Sequence, residues 1–266
     1  MEWFANMPWQ WVIVIVAVLL AIRFALKRVK GKWAKSIAEL AESLALALAL
    51  VFLVIRPFLV QAYFIPSPSM EPGLLVHDHL LANKLVYRLR PPRFGEIVVF
   101  KSPPALEADE GKKDFIKRVI GVPGDTIEVR QGLVVVNEMS YDHTQILDWF
   151  GDHQSRLKLY RDHIVVDGER ITRKEIAEMV GASASDVRIE PGVVLRNGKP
   201  LDERYTAEDP NYDYARVEVP AGKFFVMGDN RNNSKDSHIW GYLPRKYAEG
   251  KAMFIFWPLN RIRLID

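Results

Sequence analysis

Ser67 and Ser69 stand two residues apart in Ile65-Pro66-Ser67-Pro68-Ser69-Met70-Glu71-Pro72-Gly73, with prolines before, between and after them. Pro68 holds its own φ near about −65° and drives Ser67 toward extended geometry. On extended backbone, residues two apart project from one face, so this stretch can present a pre-set pair of hydroxyls. One hydroxyl can serve as a nucleophile and the other as a donor to an oxyanion. The competing reading is a Pro-Ser turn just outside a membrane segment.

A serine nucleophile needs a base. The G-x-S-x-G elbow of the hydrolase triads is absent. Histidines occur beside aspartates in His77-Asp78-His79, Asp142-His143, Asp152-His153 and Asp162-His163, with His238 apart. H-E-x-x-H spacing is missing, and solvated turns account for these neighbours better than a metal site, so neither metal nor cofactor is expected. The absence of cysteine excludes disulfides, thiolate-bound zinc and thiol nucleophiles. The remaining base is a lysine. Lys117 lies in Asp114-Phe115-Ile116-Lys117-Arg118-Val119-Ile120-Gly121. On a strand it shares a face with Phe115 and Val119. Apolar flanks can desolvate the amine and lower its pKa to a usable range. The alternative is a snorkelling lysine beside an exposed Arg118.

Positioning such a pair falls to 266 residues, 49% apolar and 26% charged, whose long apolar runs nearly all precede Pro66. The net charge of +3 is weak and no basic run carries interleaved aromatics, so nucleic acid is not an expected partner. Trp9 to Leu26 is apolar except for Gln10 and Arg23, and its length of about 18 residues is near the minimum for a membrane-spanning helix. No Lys or Arg precedes it, unlike a signal peptide. A second apolar stretch runs from about Leu40 through Ile55. Between them, Lys27, Arg28, Lys30, Lys32 and Lys35 follow Arg23 without an acid, which predicts a cytoplasmic loop and an external N-terminus. Trp3, Trp9 and Trp11 suit the outer interface, and Arg56 can snorkel to it. A buried soluble helix is the alternative for either stretch.

The expected organisation is thus a two-helix membrane anchor over residues 1–60, with helices near 9–26 and 40–57 and a basic loop at 27–36. Beyond it, short runs rich in Val, Ile and Phe between Gly and Pro predict a mostly β domain. The runs are Asp78 to Leu89, Glu96 to Lys101, Phe115 to Gly121, Thr126 to Val136, Arg216 to Val219, Lys223 to Met227 and Ala252 to Trp257. Asp167-Gly168 and Asn197-Gly198 are hairpin turns, and Thr172 to Val180 reads as a helix. The polar block 138–190 reads as an insert between 61–137 and 191–266.

At this point a resemblance becomes specific. Ile65 to Pro72 resembles the nucleophile box of the bacterial type I signal peptidases, membrane-anchored Ser/Lys endopeptidases of the S26 type. Gly95-Glu96-Ile97-Val98-Val99-Phe100-Lys101 and Phe115 to Asp125 resemble the family's lysine region. Gly228-Asp229-Asn230-Arg231-Asn232-Asn233-Ser234-Lys235-Asp236-Ser237, continued by Trp240-Gly241, resembles its last box. The resemblance covers most of the chain outside the insert. It implies an antiparallel β-rich catalytic domain that cuts secreted preproteins after small residues of the Ala-x-Ala type. It places that domain on the outer side of the inner membrane, with the bilayer and the secretion translocon as surroundings. It makes Ser69 the nucleophile, Lys117 the general base, and Ser67 an oxyanion donor with the Ser69 backbone N–H. Ser234 is expected to orient the Lys117 amine. Asp229, Arg231 and Asp236 are expected to shape the site, and Ile65, Met70, Phe115 and Ile116 to line shallow pockets. The chain departs from the pattern at Pro68, at Gly73 where Thr is common, at Asn232 for a usual Asp, and at His238 for a usual Arg, which puts an ion pair with Asp236 in question. Two other readings stand beside this one: a Ser/Lys peptidase dedicated to one substrate, and an inactive membrane-tethered binding or scaffold protein.

Overall fold

The computed structural model describes residues 9–29, 31–52, 59–106 and 111–265. It opens with helices α1 (Trp9–Leu26) and α2 (Lys32–Leu50) joined by a short link. The second helix begins eight residues before the expected Leu40, because the basic stretch has good helix formers and only Gly31 interrupts it. Lys32 and Lys35 therefore occupy its first turn. The helices meet through small or branched side chains, with Val12, Ala34, Ala41 and Ala45 buried, and Arg23 pairs with Glu42 at 2.8 Å. Much of the remaining apolar surface is open, including Phe24, Leu40 and Leu46, each over 60% exposed (64%, 69% and 63%). Among the described residues, no helix is long and apolar enough to cross a membrane. Trp3, Arg56 and the part of the second apolar stretch past Phe52 lie outside the described residues.

The rest is antiparallel β-structure. The main sheet is built from β1 (Val60–Phe64), β2 (His79–Asn83), β3 (Ile97–Lys101), β4 (Asp114–Gly121), β15 (Lys223–Met227), β16 (Leu243–Pro244), β17 (Ala248–Trp257) and β18 (Arg263–Leu264). Its strand order is β1-β2-β17-β3-β4-β15-β16, with β18 added to β17. The run predicted as one strand over Asp78 to Leu89 divides, because Asn83 accepts from the Val86 N–H and starts the short helix α3 (Leu85–Leu89). One apolar cluster, with Ile65, Met70, Leu80, Ile97 and Ile255, packs the sheet on one side. Phe100, Val119, Phe224 and Leu243 form another.

A second sheet comprises β5 (Thr126–Arg130), β12 (Val193–Arg196), β13 (Lys199–Pro200) and β14 (Tyr214–Glu218), in the order β13-β12-β5-β14. The expected strand Thr126 to Val136 breaks at Gln131-Gly132, and its second half, β6 (Leu133–Val136), pairs with β11 (Val187–Glu190) and β7 (Met139–Tyr141). Residues 133–136 thus pack with the 138–190 segment rather than with the two larger sheets. The insert adds helix α4 (His143–Asp148), strands β8 (Leu157–Leu159), β9 (His163–Val166) and β10 (Glu169–Thr172), and helix α5 (Arg173–Val180). It has its own core around Ile146, Leu157, Ile164, Ile176 and Ile189. Thr172 and Glu175 cap α5 reciprocally, and Gly181 ends it in left-handed backbone. The two strand crossings into the insert lie back to back. A Cβ on Gly132 would sit 2.9 Å from the Gly192 nitrogen, and one on Gly192 would sit 2.9 Å from that of Gly132. Asp167-Gly168 and Asn197-Gly198 form the expected hairpin turns, with positive φ at both central residues.

Candidate active site

The Pro-bounded turn holds its serines differently from the simple extended reading. Ser67 is extended (φ −134°, ψ 154°), while Pro68 to Met70 make one turn of 3₁₀ helix. The φ that proline imposes serves the first helical position as well as an extended one, so the sequence rule allowed both. The hydroxyls still converge, with the two Oγ atoms 3.4 Å apart. Asn230 clamps this turn from the far end of the chain: its backbone N–H donates to the Ser69 carbonyl at 3.2 Å, and its side chain donates to the Pro68 carbonyl at 3.2 Å.

Lys117 reaches this turn from β4, between β3 and β15. Its Nζ lies 2.7 Å from Ser69 Oγ and donates to the Ile116 carbonyl at 3.0 Å. Val98 is its cross-strand partner and Phe115 that of Phe100, so the amine emerges from an apolar face. Only 3% of Lys117 is exposed, and Ser69 is also buried. Burial pulls the Lys117 amine down from 10.5 to about 8, against the opposing pull of Asp236 and Asp229.

Both aspartates have other partners. Asp229 takes a bidentate pair from Arg118, at 2.8 Å for each oxygen. Arg118 is itself buried, stacks over Tyr205 at 4.1 Å and donates to the Gly95 carbonyl at 2.9 Å, so the alternative of an exposed arginine does not hold and Arg118 is part of the site's frame. Arg231, fully buried, forks onto Glu203. Asp236 accepts from the Gly228 N–H at 2.9 Å and caps a short helix, α6 (Ser237–Trp240). The replacement at 238 keeps a partner for Asp236: His238 Nδ1 is 2.7 Å from its Oδ1, and the ring stacks on Tyr212. Asn232 donates to Glu208 and to the Asp209 carbonyl, both at 2.9 Å. Gly73 also has a reason, since a Cβ there would lie 2.7 Å from an Asp229 oxygen.

Two expectations need correction. Ser234 makes no bond to the Lys117 amine; its Oγ is buried without a partner, pressed against Gly228. The two close contacts of Nζ go instead to Ser69 and Ile116. Ile65 and Met70 do not line an open pocket, because both are buried in the sheet's core cluster. Phe115 and Ile116 do line a cleft of about 290 Å³ beside Ser67, Ser69 and Lys117. Among the described residues, no group of three His, Asp or Glu side chains is arranged to hold a metal. Glu203, Arg118 and Asn230 are the framing residues that sequence reasoning missed. Arg118 was visible only as the strand neighbour of Lys117, and Glu203 lies in a loop with no local signal.

Such an arrangement can deprotonate a hydroxyl without metal or imidazole: a dry amine touches Ser69, and a second hydroxyl stands beside it. The family described as "Signal peptidase, peptidase S26" matches residues 37–257. "Probable signal peptidase I-2" of Synechocystis sp. is 37% identical over 227 residues, covering 85% of this chain and 76% of the relative. "Signal peptidase I" of Aquifex aeolicus is 38% identical over 233 residues, covering 82% and 83%. "Signal peptidase I" of Leptolyngbya laminosa is 35% identical over 210 residues, covering 78% and 74%.

The buried amine has a measurable consequence for stability. Its folded pKa, about 8, lies below the unfolded 10.5, so the unfolded chain binds more protons between those values. The penalty for burying the ammonium is complete below pH 8 and fades as pH rises toward 10.5. Lys117→Met removes the charge and keeps most of the length. It should stabilise the fold at pH 7 by about 1–3 kcal/mol, each pKa unit being worth roughly 1.4 kcal/mol. That advantage should shrink toward pH 10. Thermal unfolding at both pH values checks this, and a change in Tm of the same sign and size at each would refute it.

Proposed function

This chain belongs to the peptidase S26 family, and from that premise we propose that it removes signal peptides with Ser69 as nucleophile and Lys117 as base. The observation that carries the assignment is the 2.7 Å contact between a buried amine and a buried hydroxyl. Neutral Lys117 takes the Ser69 proton as Oγ attacks the scissile carbonyl. The Ser67 hydroxyl and the Ser69 backbone N–H stabilise the oxyanion, a donor of this kind being worth about 3–4 kcal/mol. The ammonium then protonates the leaving amine. Water, deprotonated by the same lysine, resolves the acyl-enzyme. Asp229 and Asp236 act through position, held off the amine by Arg118 and by Gly228 with His238. The cleft over Phe115 and Ile116 receives small side chains before the cut, since a bulky or charged group cannot be desolvated there without loss.

The same proposal sets α1 and α2 in a bilayer as an anchor, with the β-rich domain on the extracytoplasmic side. What supports it is the open apolar surface of both helices, which water does not tolerate at this size, and the basic residues between them. An anchored enzyme meets a cleavage site that also lies just outside the membrane at raised effective concentration.

Ser69→Ala should abolish cleavage of a preprotein with Ala at the residue before the cut and two residues earlier. Ser67→Ala should lose roughly 10²–10³ in kcat, as for one oxyanion donor. Near-wild-type turnover by clean Ser69→Ala protein would sink the mechanism.

The pH profile tests the base. Because the neutral fraction of Lys117 grows as pH rises through about 8, kcat/KM should fall on the acid side of that value. Lys117→Arg should be inactive, as guanidinium stays protonated. An acid limb that persists unchanged in Lys117→Ala would transfer the role to another group.

Membrane placement predicts that protease added to intact spheroplasts digests the domain after Ser67. Protection until the membrane is lysed would overturn the assigned side.

A further inference from the structure

If the acyl part of a substrate lies over Phe115 and Ile116, its leaving part must depart from the other side of the nucleophile turn. A second cleft, of about 540 Å³, opens there and meets the first at Pro68 and Asn233. It lies between the catalytic domain and the insert. Glu71, Glu208 and Asn232 line it from the catalytic side, and His143 and Arg156 from the insert. None of these residues supports the Ser69–Lys117 pair.

The lining is charged and ordered. Arg156 Nη2 is 3.1 Å from Glu71 Oε2, and its Nε is 3.9 Å from Glu208 Oε1. Asn232 holds the other oxygen of Glu208 at 2.9 Å. The backbone N–H of Arg156 donates to Asp167 at 2.8 Å, so the β9–β10 hairpin turn sets where the guanidinium starts. Burial favours the neutral form of His143. Two carboxylates thus face one guanidinium, and the cleft keeps an excess of negative charge. The carboxylates are the sheltered partners, with side-chain exposures of 19% and 14%, while Arg156 is at 55% and can turn toward a ligand.

We propose that this cleft binds the residues just after the scissile bond, the start of the mature chain, and that Glu71 and Glu208, offset only in part by the movable Arg156, make it prefer basic over acidic side chains there. The proposal rests on the peptidase reading above. It also explains what the insert is for, since Arg156 supplies the movable cation of a leaving-side subsite.

The test uses the full chain and three preproteins identical up to the cut, with Lys-Lys, Glu-Glu or Ala-Ala at the second and third residues after it. The measured quantity is the ratio of kcat/KM for Lys-Lys over Glu-Glu. Arg156→Glu should raise this ratio by about fivefold or more, and Glu208→Gln should lower it by a similar factor, as for unit charges brought within a few ångströms in water. Both effects should shrink in high salt. A ratio unchanged in both variants overturns the proposal, as does an equal loss on all three substrates. If wild type processes none of the three, the peptidase reading itself has failed, which is a separate result. Glu208→Gln is isosteric, so it keeps the test open if Arg156→Glu misfolds.

Discussion

The site depends on one interaction, the 2.7 Å contact between the buried Lys117 amine and Ser69 Oγ, and the base role proposed for Lys117 requires that amine to be neutral. In water, an amine with pKa near 10.4 is almost wholly protonated at neutral pH. The fold removes the water by setting the lysine on an internal strand, among Phe115, Val98 and Val119. It then has to manage the two carboxylates that also define the site. If either turned to Lys117, it would draw the proton back. Asp229 is held by a guanidinium and Asp236 by a backbone N–H and an imidazole. Two consecutive cations on β4 have opposite duties: Lys117 can lose its proton, and Arg118 cannot. The difference between ammonium and guanidinium makes that division possible.

The nucleophile turn and the last box are about 160 residues apart in sequence yet packed without spare room. A Cβ on Gly228 would lie 2.4 Å from the Ser69 carbonyl oxygen and 2.3 Å from Ser234 Oγ. Glycine at this position is therefore a condition of assembly. With the two Asn230 bonds, it means that Ser69 is positioned chiefly by residues that no local rule would join to it.

Features governed by neighbours along the chain were legible in the sequence. The converging hydroxyls, the apolar flank of Lys117, the two Gly-containing hairpin turns and the capped helix α5 follow from local geometry. What was not legible depended on distant partners. Ser67 and Ser69 do not share one backbone conformation, because the 3₁₀ turn is stabilised by Asn230. Met70 and Ile65 were expected in a pocket, but the cores of other strands claim them. The hairpin at Asn137-Glu138 was hidden, since it adopts the same positive φ angles without a glycine. Helix α4 was missed although Asp142 and Gln145 form its capping box, because its six residues are too few to show a period.

The paired glycines at the crossings into the insert carry an implication of another kind. Gly132 and Gly192 bring two backbones into contact, so the strands leave and re-enter the catalytic half at one narrow point. A joint of this shape is a graft site. A change in length beyond it need not shift the register of the sheet bearing Lys117. In the proposal above, the segment beyond this joint is also the one that brings His143 and Arg156 to the leaving side of the site.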